Sequence, residues 1–199
     1  MKQPLIPALV LTLTVFSANH ASAANLLVDG GFESNSLDPW EIFGTGPTTI
    51  ETSNPYSGTK HLQLSMSNAN AIDNFSGLFQ EIAVTAGQTY TFSGYGLATS
   101  STGVNAFEYR FEWLDAGGTE IARQQNKINL DSSYNLFSLT DVAPTGAASA
   151  KIVAAIQSFD GDPDTIASLD NLSVNQIPEP SCAILLGLGL SAFILRRRS

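Results

Sequence analysis

Between Phe107 and Trp113 the chain alternates without a break. Phe107, Tyr109, Phe111 and Trp113 fall on one face, and Glu108, Arg110 and Glu112 on the other. A period of two is the signature of a β-strand with one face against an apolar layer, and four aromatic rings in a row require a thick one. The pattern recurs more weakly elsewhere. His61–Met66 alternates Leu62, Leu64 and Met66, and residues 88–98 set Tyr90 and Phe92 opposite Thr91, Ser93 and Tyr95. Residues 25–33 read as a short first strand ending in a Gly-Gly turn. Residues 75–84, 119–123, 134–142, 150–159 and 166–174 read as further strands. Between them lie breakers of the Asp-Pro, Asn-Pro and Gly-Gly kind, and no stretch carries helical periodicity. About nine short strands at this spacing predict an all-β fold, an antiparallel β-sandwich of the jelly-roll type.

The two ends differ in kind from this middle. Lys2, an apolar run over residues 5–16 and Ala21-Ser22-Ala23 form a secretory signal peptide, with Ala21 and Ala23 as the small residues of the cleavage site. The other end carries Pro178-Glu179-Pro180, fifteen residues with no charge over 181–195, and Arg196-Arg197-Arg198. As a helix that run spans about 22 Å, short of a hydrocarbon core of about 30 Å but workable with snorkelling arginines. Arginines at the extreme end stay in the cytoplasm, which puts the rest of the chain across the membrane. A plain anchor, or a last core helix with a basic tail, is the competing reading. The sequence therefore divides into a signal helix (1–23), one β-domain (24–176) and a transmembrane segment (177–199).

Residues 25–177 hold five basic and seventeen acidic side chains, a net charge of −12. That balance excludes nucleic acid as a partner, since phosphate binding needs a basic patch. The only cysteine, Cys182, lies in the apolar run, so the β-domain has neither a disulfide nor a thiol nucleophile. His61 is its one histidine, which disfavours histidine-rich zinc sites and leaves a serine triad a single candidate base.

The three parts of the C-terminal segment, in this order, resemble the PEP-CTERM sorting signal of Gram-negative bacteria. The resemblance implies that an exosortase, a membrane protease, reads Pro178, Glu179, Pro180 and Arg196, Arg197 and Arg198 and removes the tail. The protein would then be held transiently in the membrane by its C-terminal helix and pass to the cell surface or an extracellular matrix of the biofilm kind.

The domain itself resembles the jelly-roll carbohydrate-binding modules of xylanases and similar glycanases, members of the galactose-binding-like folds. Asn-Leu-Leu-Val-Asp-Gly-Gly-Phe-Glu from Asn25, Ser-Gly-Thr-Lys from Ser57 and Leu-Asp-Asn-Leu-Ser-Val from Leu169 carry the likeness. It implies that the first and last strands lie side by side, tied by a structural calcium ion. The ligands would be the side chains of Glu33 and Asp170 with main-chain oxygens of Gly31, Ser57, Lys60 and Asp170. Calcium takes six to eight oxygens and accepts carbonyls, so the chemistry is reasonable; surface acids near turns are the alternative. The acidic loop 160–164 lacks the length and terminal glutamate of an EF-hand.

Modules of this fold bind sugars with aromatic platforms flanked by polar groups. With the aromatics of Val104–Leu114 turned inward, the outward face is expected to carry Tyr95 as a platform and Arg110 and Glu112 as hydrogen-bonding groups. Trp40 is either a second platform or a core plug. Glu108 and Glu112 lie four residues apart on one strand, about 13 Å, too far for the paired carboxylates of a glycosidase. The expected function is therefore a non-catalytic binder of extracellular polysaccharide. A self-associating structural matrix protein is the alternative, and a glycoside hydrolase a distant third.

Overall fold

The computed structural model describes residues 24–66, 74–98, 104–158 and 165–178. Ten strands run in chain order as β1 (Glu41–Gly44), β2 (Thr48–Glu51), β3 (His61–Met66), β4 (Asn74–Ala83), β5 (Thr89–Ala98), β6 (Val104–Leu114), β7 (Glu120–Leu130), β8 (Asn135–Val142), β9 (Ser149–Ser158) and β10 (Thr165–Ile177). They form two five-stranded sheets, β1-β4-β9-β6-β7 and β2-β3-β10-β5-β8, hereafter sheets A and B. Every pairing is antiparallel. This is the sandwich that the alternation predicts. The signal helix, the transmembrane helix and the acidic loop 160–164 lie outside the described residues.

The core forms where the inward rows of the two sheets meet. Phe107, Tyr109, Phe111 and Trp113 of β6 are all buried, as are Tyr90 and Phe92 of β5 and Phe137 of β8. Phe137 touches the rings of Phe107, Tyr109 and Phe92 at 4.9, 4.8 and 5.7 Å, so one residue of sheet B keys into three aromatics. The buried polar tips of Trp113 and Tyr90 are satisfied. Trp113 Nε1 donates to Asp141 Oδ2 at 2.8 Å, and the Tyr90 hydroxyl accepts from the Thr85 amide at 2.8 Å.

Several strand expectations need correction. Residues 25–33 are not a strand: they cross the open end of the sandwich in bends, held by single contacts instead of a ladder. Leu26 N donates to Val174 O and Leu172 N to Gly30 O, each at 2.8 Å. The Gln80 side chain imitates a strand neighbour, accepting from Val28 N at 2.8 Å and donating to Val28 O at 3.0 Å. A ladder cannot form because β10 itself is bulged: Asp170 pairs with Tyr95 but Ser173 pairs with Ser93, one residue extra in β10. β1 and β2 do not stand out in the sequence because each is four residues long with mixed polarity. β7 runs on from the expected 119–123 to Leu130 as an exposed edge strand, where polarity without alternation hides it. β10 continues through Ile177, one residue into the segment assigned to the tail.

Gly30 sits where the crossing segment meets the bulge. A Cβ there would lie 1.9 Å from the Leu172 carbonyl oxygen, a backbone atom that cannot step aside. Gly30→Ala is expected to lower stability by about 1–3 kcal/mol, read as a lower urea midpoint with unchanged slope.

Candidate functional site

The outer face of sheet A carries two contrasting strips. On one side β1 and β4 present Phe43, Phe75 and Phe79, with Phe43 at 5.8 Å from Phe75 and 6.3 Å from Phe79. Phe43 packs over Gly77, where a Cβ would stand 2.5 Å from Cζ of the ring. Lys151 of β9 sits 4.5 Å above the Phe79 ring. Phe75 is 39% exposed. On the other side, β6 and β7 lay down a ladder of charge. Arg110 Nη1 reaches Glu108 Oε1 at 2.5 Å and its Nε reaches Glu112 Oε1 at 2.7 Å. Lys127 extends the ladder to Glu108 Oε2 at 3.1 Å, and Arg123 meets Glu112 Oε1 at 3.1 Å. Each carboxylate is shared between two cations, so the strip is pre-set and each acid is paired although Glu108 and Glu112 are themselves buried.

Tyr95 is elsewhere. Its strand, β5, belongs to sheet B, so Tyr95 and the Arg110–Glu112 pair occupy opposite outer surfaces and do not share one face. The alternation in each strand sets which side chains point away from the core but not which sheet the strand joins. Trp40 is 5% exposed, packs on Phe32 at 5.5 Å and donates from Nε1 to Asp29 O at 3.3 Å. It plugs one end of the core and offers no platform to a ligand.

Tyr95 stacks on Tyr56 at 3.7 Å and 14°, and Tyr56 meets Tyr134 edge-on at 5.6 Å. Tyr134 donates to Asn54 O at 3.1 Å, tying the loop before β3 to the turn before β8. Beneath this cover the outward side chains of sheet B are buried: His61, Ser168 and Asp170 are each at most 1% exposed. Burial pushes Tyr134 up to about 12, with the charge of Asp170 adding to it. Burial pushes His61 down, and among the described residues its Nδ1 has no hydrogen-bond partner.

The residues expected to hold calcium do gather around one loop. Asp170 Oδ2 accepts from Ser57 N at 2.9 Å, and Asp170 Oδ1 from Asn171 N at 2.6 Å. Glu33 Oε1 accepts from Thr59 N at 2.8 Å and Lys60 N at 3.1 Å, and Oε2 from the Thr59 hydroxyl at 2.7 Å. Lys60 Nζ donates to Glu33 O at 2.6 Å, and Ser57 Oγ to Asn171 Oδ1 at 3.0 Å beside Gly31. The loop needs Gly58, at φ 64°, because a Cβ would fall 2.1 Å from Glu33 Oε1. The Thr59 hydroxyl and then the Thr59 and Lys60 amides hold Glu33 below the usual carboxylate range. Burial pushes Asp170 up, against the pull of the Ser57, Asn171 and Tyr56 amides. Among the described residues no Lys or Arg forms an ion pair with Asp170.

The sequence did not single out Phe43, Phe75 and Phe79. In β4 both faces carry apolar residues, Phe75 and Phe79 on one and Leu78 and Ile82 on the other, so periodicity cannot tell the outer row from the core row.

A family model described as a carbohydrate binding domain matches residues 24–153. Among solved structures, the fold is similar to the enzymatically active domain of bacteriophage CBA120 tailspike protein 4, at 17% identity and a TM-score of 0.64 over 77% of this chain. The chain spans only 21% of that protein. It is also similar to the CBM22-1 xylan-binding domain of Paenibacillus barcinonensis Xyn10C, at 14% identity and a TM-score of 0.61, covering 80% of this chain and 98% of the other. TmCBM61, solved with β-1,4-galactotriose, matches at 15% identity and a TM-score of 0.56, covering 78% of this chain and 100% of the module. At such identities the likeness is one of fold. No curated protein matches the chain. The family model describes a binding domain, and the module-sized neighbours share its fold. With both strips of sheet A and the Glu33 loop inside the matched span, this chain belongs to the CBM_4_9 family of carbohydrate binding domains.

Proposed function

We propose that the domain binds an extracellular polysaccharide across the outer face of sheet A. The observation that carries this reading is the pairing, on one face, of the Phe43–Phe75–Phe79 strip with the Lys127–Glu108–Arg110–Glu112–Arg123 ladder. Phenyl rings cover the C–H faces of pyranoses, and fixed donors and acceptors meet hydroxyls at low ordering cost because the ladder holds them already. The family gives the ligand class, and the net charge of the domain favours neutral chains over anionic ones.

The same proposal includes the route and the metal. Both termini carry export signals, and the chain is delivered to the cell surface or matrix of a Gram-negative bacterium after an exosortase removes the tail. Glu33 and Asp170, with oxygens of Gly31, Ser57 and Lys60 in the same clasp, would hold a calcium ion. A wholly buried Asp170 with no Lys or Arg ion pair supports this, since the ion would supply the missing countercharge. The N–H groups that now meet each carboxylate leave lone pairs free on both.

Three outcomes follow. In affinity electrophoresis against the host's own exopolysaccharide the protein is retarded, and Phe79→Ala weakens binding by roughly tenfold, about 1.4 kcal/mol; unretarded migration on every polysaccharide tried discards the reading. A chelator lowers the melting temperature, and Asp170→Asn abolishes that response; superimposable melting curves remove the ion. Replacing Arg196, Arg197 and Arg198 by serine leaves unprocessed protein in the membrane, and release in unaltered amount would show that the triplet is not read.

A further inference from the structure

The second outer surface has features of its own. A groove of about 390 Å³ opens on sheet B, lined by Asn25, Ser93, Tyr95, Leu136, Asn171 and Ser173 among others. That volume lies within the range of small-molecule sites, about 300–1,000 Å³. The groove exists because of the β10 bulge: Asn171, at φ 51°, steps out of the ladder, and the crossing segment at Asn25 walls off the far side. Asp29, Phe32 and Asn54 also hold positive φ, and all three lie in the crossing segment or the covering loop. Non-glycine residues are driven into this region only where the surroundings over-determine them.

Its walls are of one chemical kind. Tyr95 gives an aromatic side, fixed from behind by Tyr56 at 3.7 Å and through it by Tyr134. Leu136, opposite Tyr95 in the register and 61% exposed, gives an apolar shoulder. The hydroxyls of Ser93 and Ser173 lie 3.0 Å apart on the floor, each able to donate and accept. Among the described residues no charged side chain lines the groove, in contrast to the five charged residues of the ladder on sheet A.

We propose that this groove is a second saccharide site, selective for neutral sugars, so that one domain holds two glycan strands on opposite faces and crosslinks them. A preset aromatic wall, paired hydroxyls and no charge fit a neutral pyranose and reject an anionic or cationic one, whose desolvation nothing here would offset. The inference rests on the carbohydrate-binding reading of sheet A and adds the valence. Two sites back to back on a sandwich whose sheets are about 10 Å apart cannot serve one sugar chain in one pass. They fit a matrix component that ties strands together, where the gain is one of avidity.

The test is calorimetric titration of the protein with β-1,4-xylohexaose and with β-1,4-galactotriose, alongside the viscosity of arabinoxylan and β-1,4-galactan solutions containing it. At least one of the two oligosaccharides is expected to bind at two sites per chain, and the matching polysaccharide to thicken. Leu136→Arg, a change at an exposed position that fills the groove with charge, leaves one site and abolishes thickening; Phe79→Ala weakens the sheet A site roughly tenfold and leaves the groove unaffected. One site per chain, with binding unaffected by Leu136→Arg, overturns the second site while the reading of sheet A stands. No binding of either oligosaccharide, by calorimetry or by shifts of the Ser93 and Ser173 amides in NMR, overturns both.

Discussion

One extra residue in β10, between Asp170 and Ser173, sets the arrangement of everything outside the core. Before the bulge Leu169 points into the sandwich and Asp170 out. After it Leu172 and Val174 point in, so both halves of the strand keep an apolar face on the core despite the break. The released Leu172 amide takes the Gly30 carbonyl, and the Leu172 carbonyl takes the Asn25 side chain, which fastens the crossing segment without a ladder. Asp170, still in register with Tyr95, comes to lie beneath the loop that also holds Glu33. A regular ladder in this place would close the end of the sandwich with a strand and leave neither the clasp nor the groove.

The clasp shows how a loop can bring together two carboxylates that are 137 residues apart in the chain. The amides of Ser57, Thr59 and Lys60 point at Asp170 and at Glu33, so the loop is an anion-binding concavity lined by backbone donors. The two acids differ only in surroundings. Glu33 is exposed and held low by its hydrogen bonds, while burial raises Asp170 against the same kind of donors.

The two outer faces resolve polarity in opposite ways. On sheet A, carboxylates that would be costly to bury are shared between arginine and lysine partners and become a rigid polar strip beside three phenyl rings. On sheet B part of the outward row is covered by tyrosines from two loops, and the groove beside them is lined by neutral residues. A single β-domain thus presents two surfaces of different chemistry, one aromatic and charged and the other holding a neutral groove.

The fold class was legible because alternation in β3, β5 and β6 is enforced by burial: each inward row there is apolar and each outward row carries polar groups. The gathering of Gly31, Glu33, Ser57, Lys60 and Asp170 was legible only through family resemblance, since no spacing in the chain ties residue 33 to residue 170. The sequence alone determined that strands exist, which side chains of each face inward, and how much charge the domain carries, since these follow from local periodicity and composition. The tertiary structure alone decided which sheet each strand joins, and hence that Tyr95 and Arg110 stand on opposite surfaces, that Trp40 is a plug, and that Phe43 meets Phe75 and Phe79. Sheet membership is a long-range choice made by whole inward faces packing together, and the parity of a single strand holds no record of it.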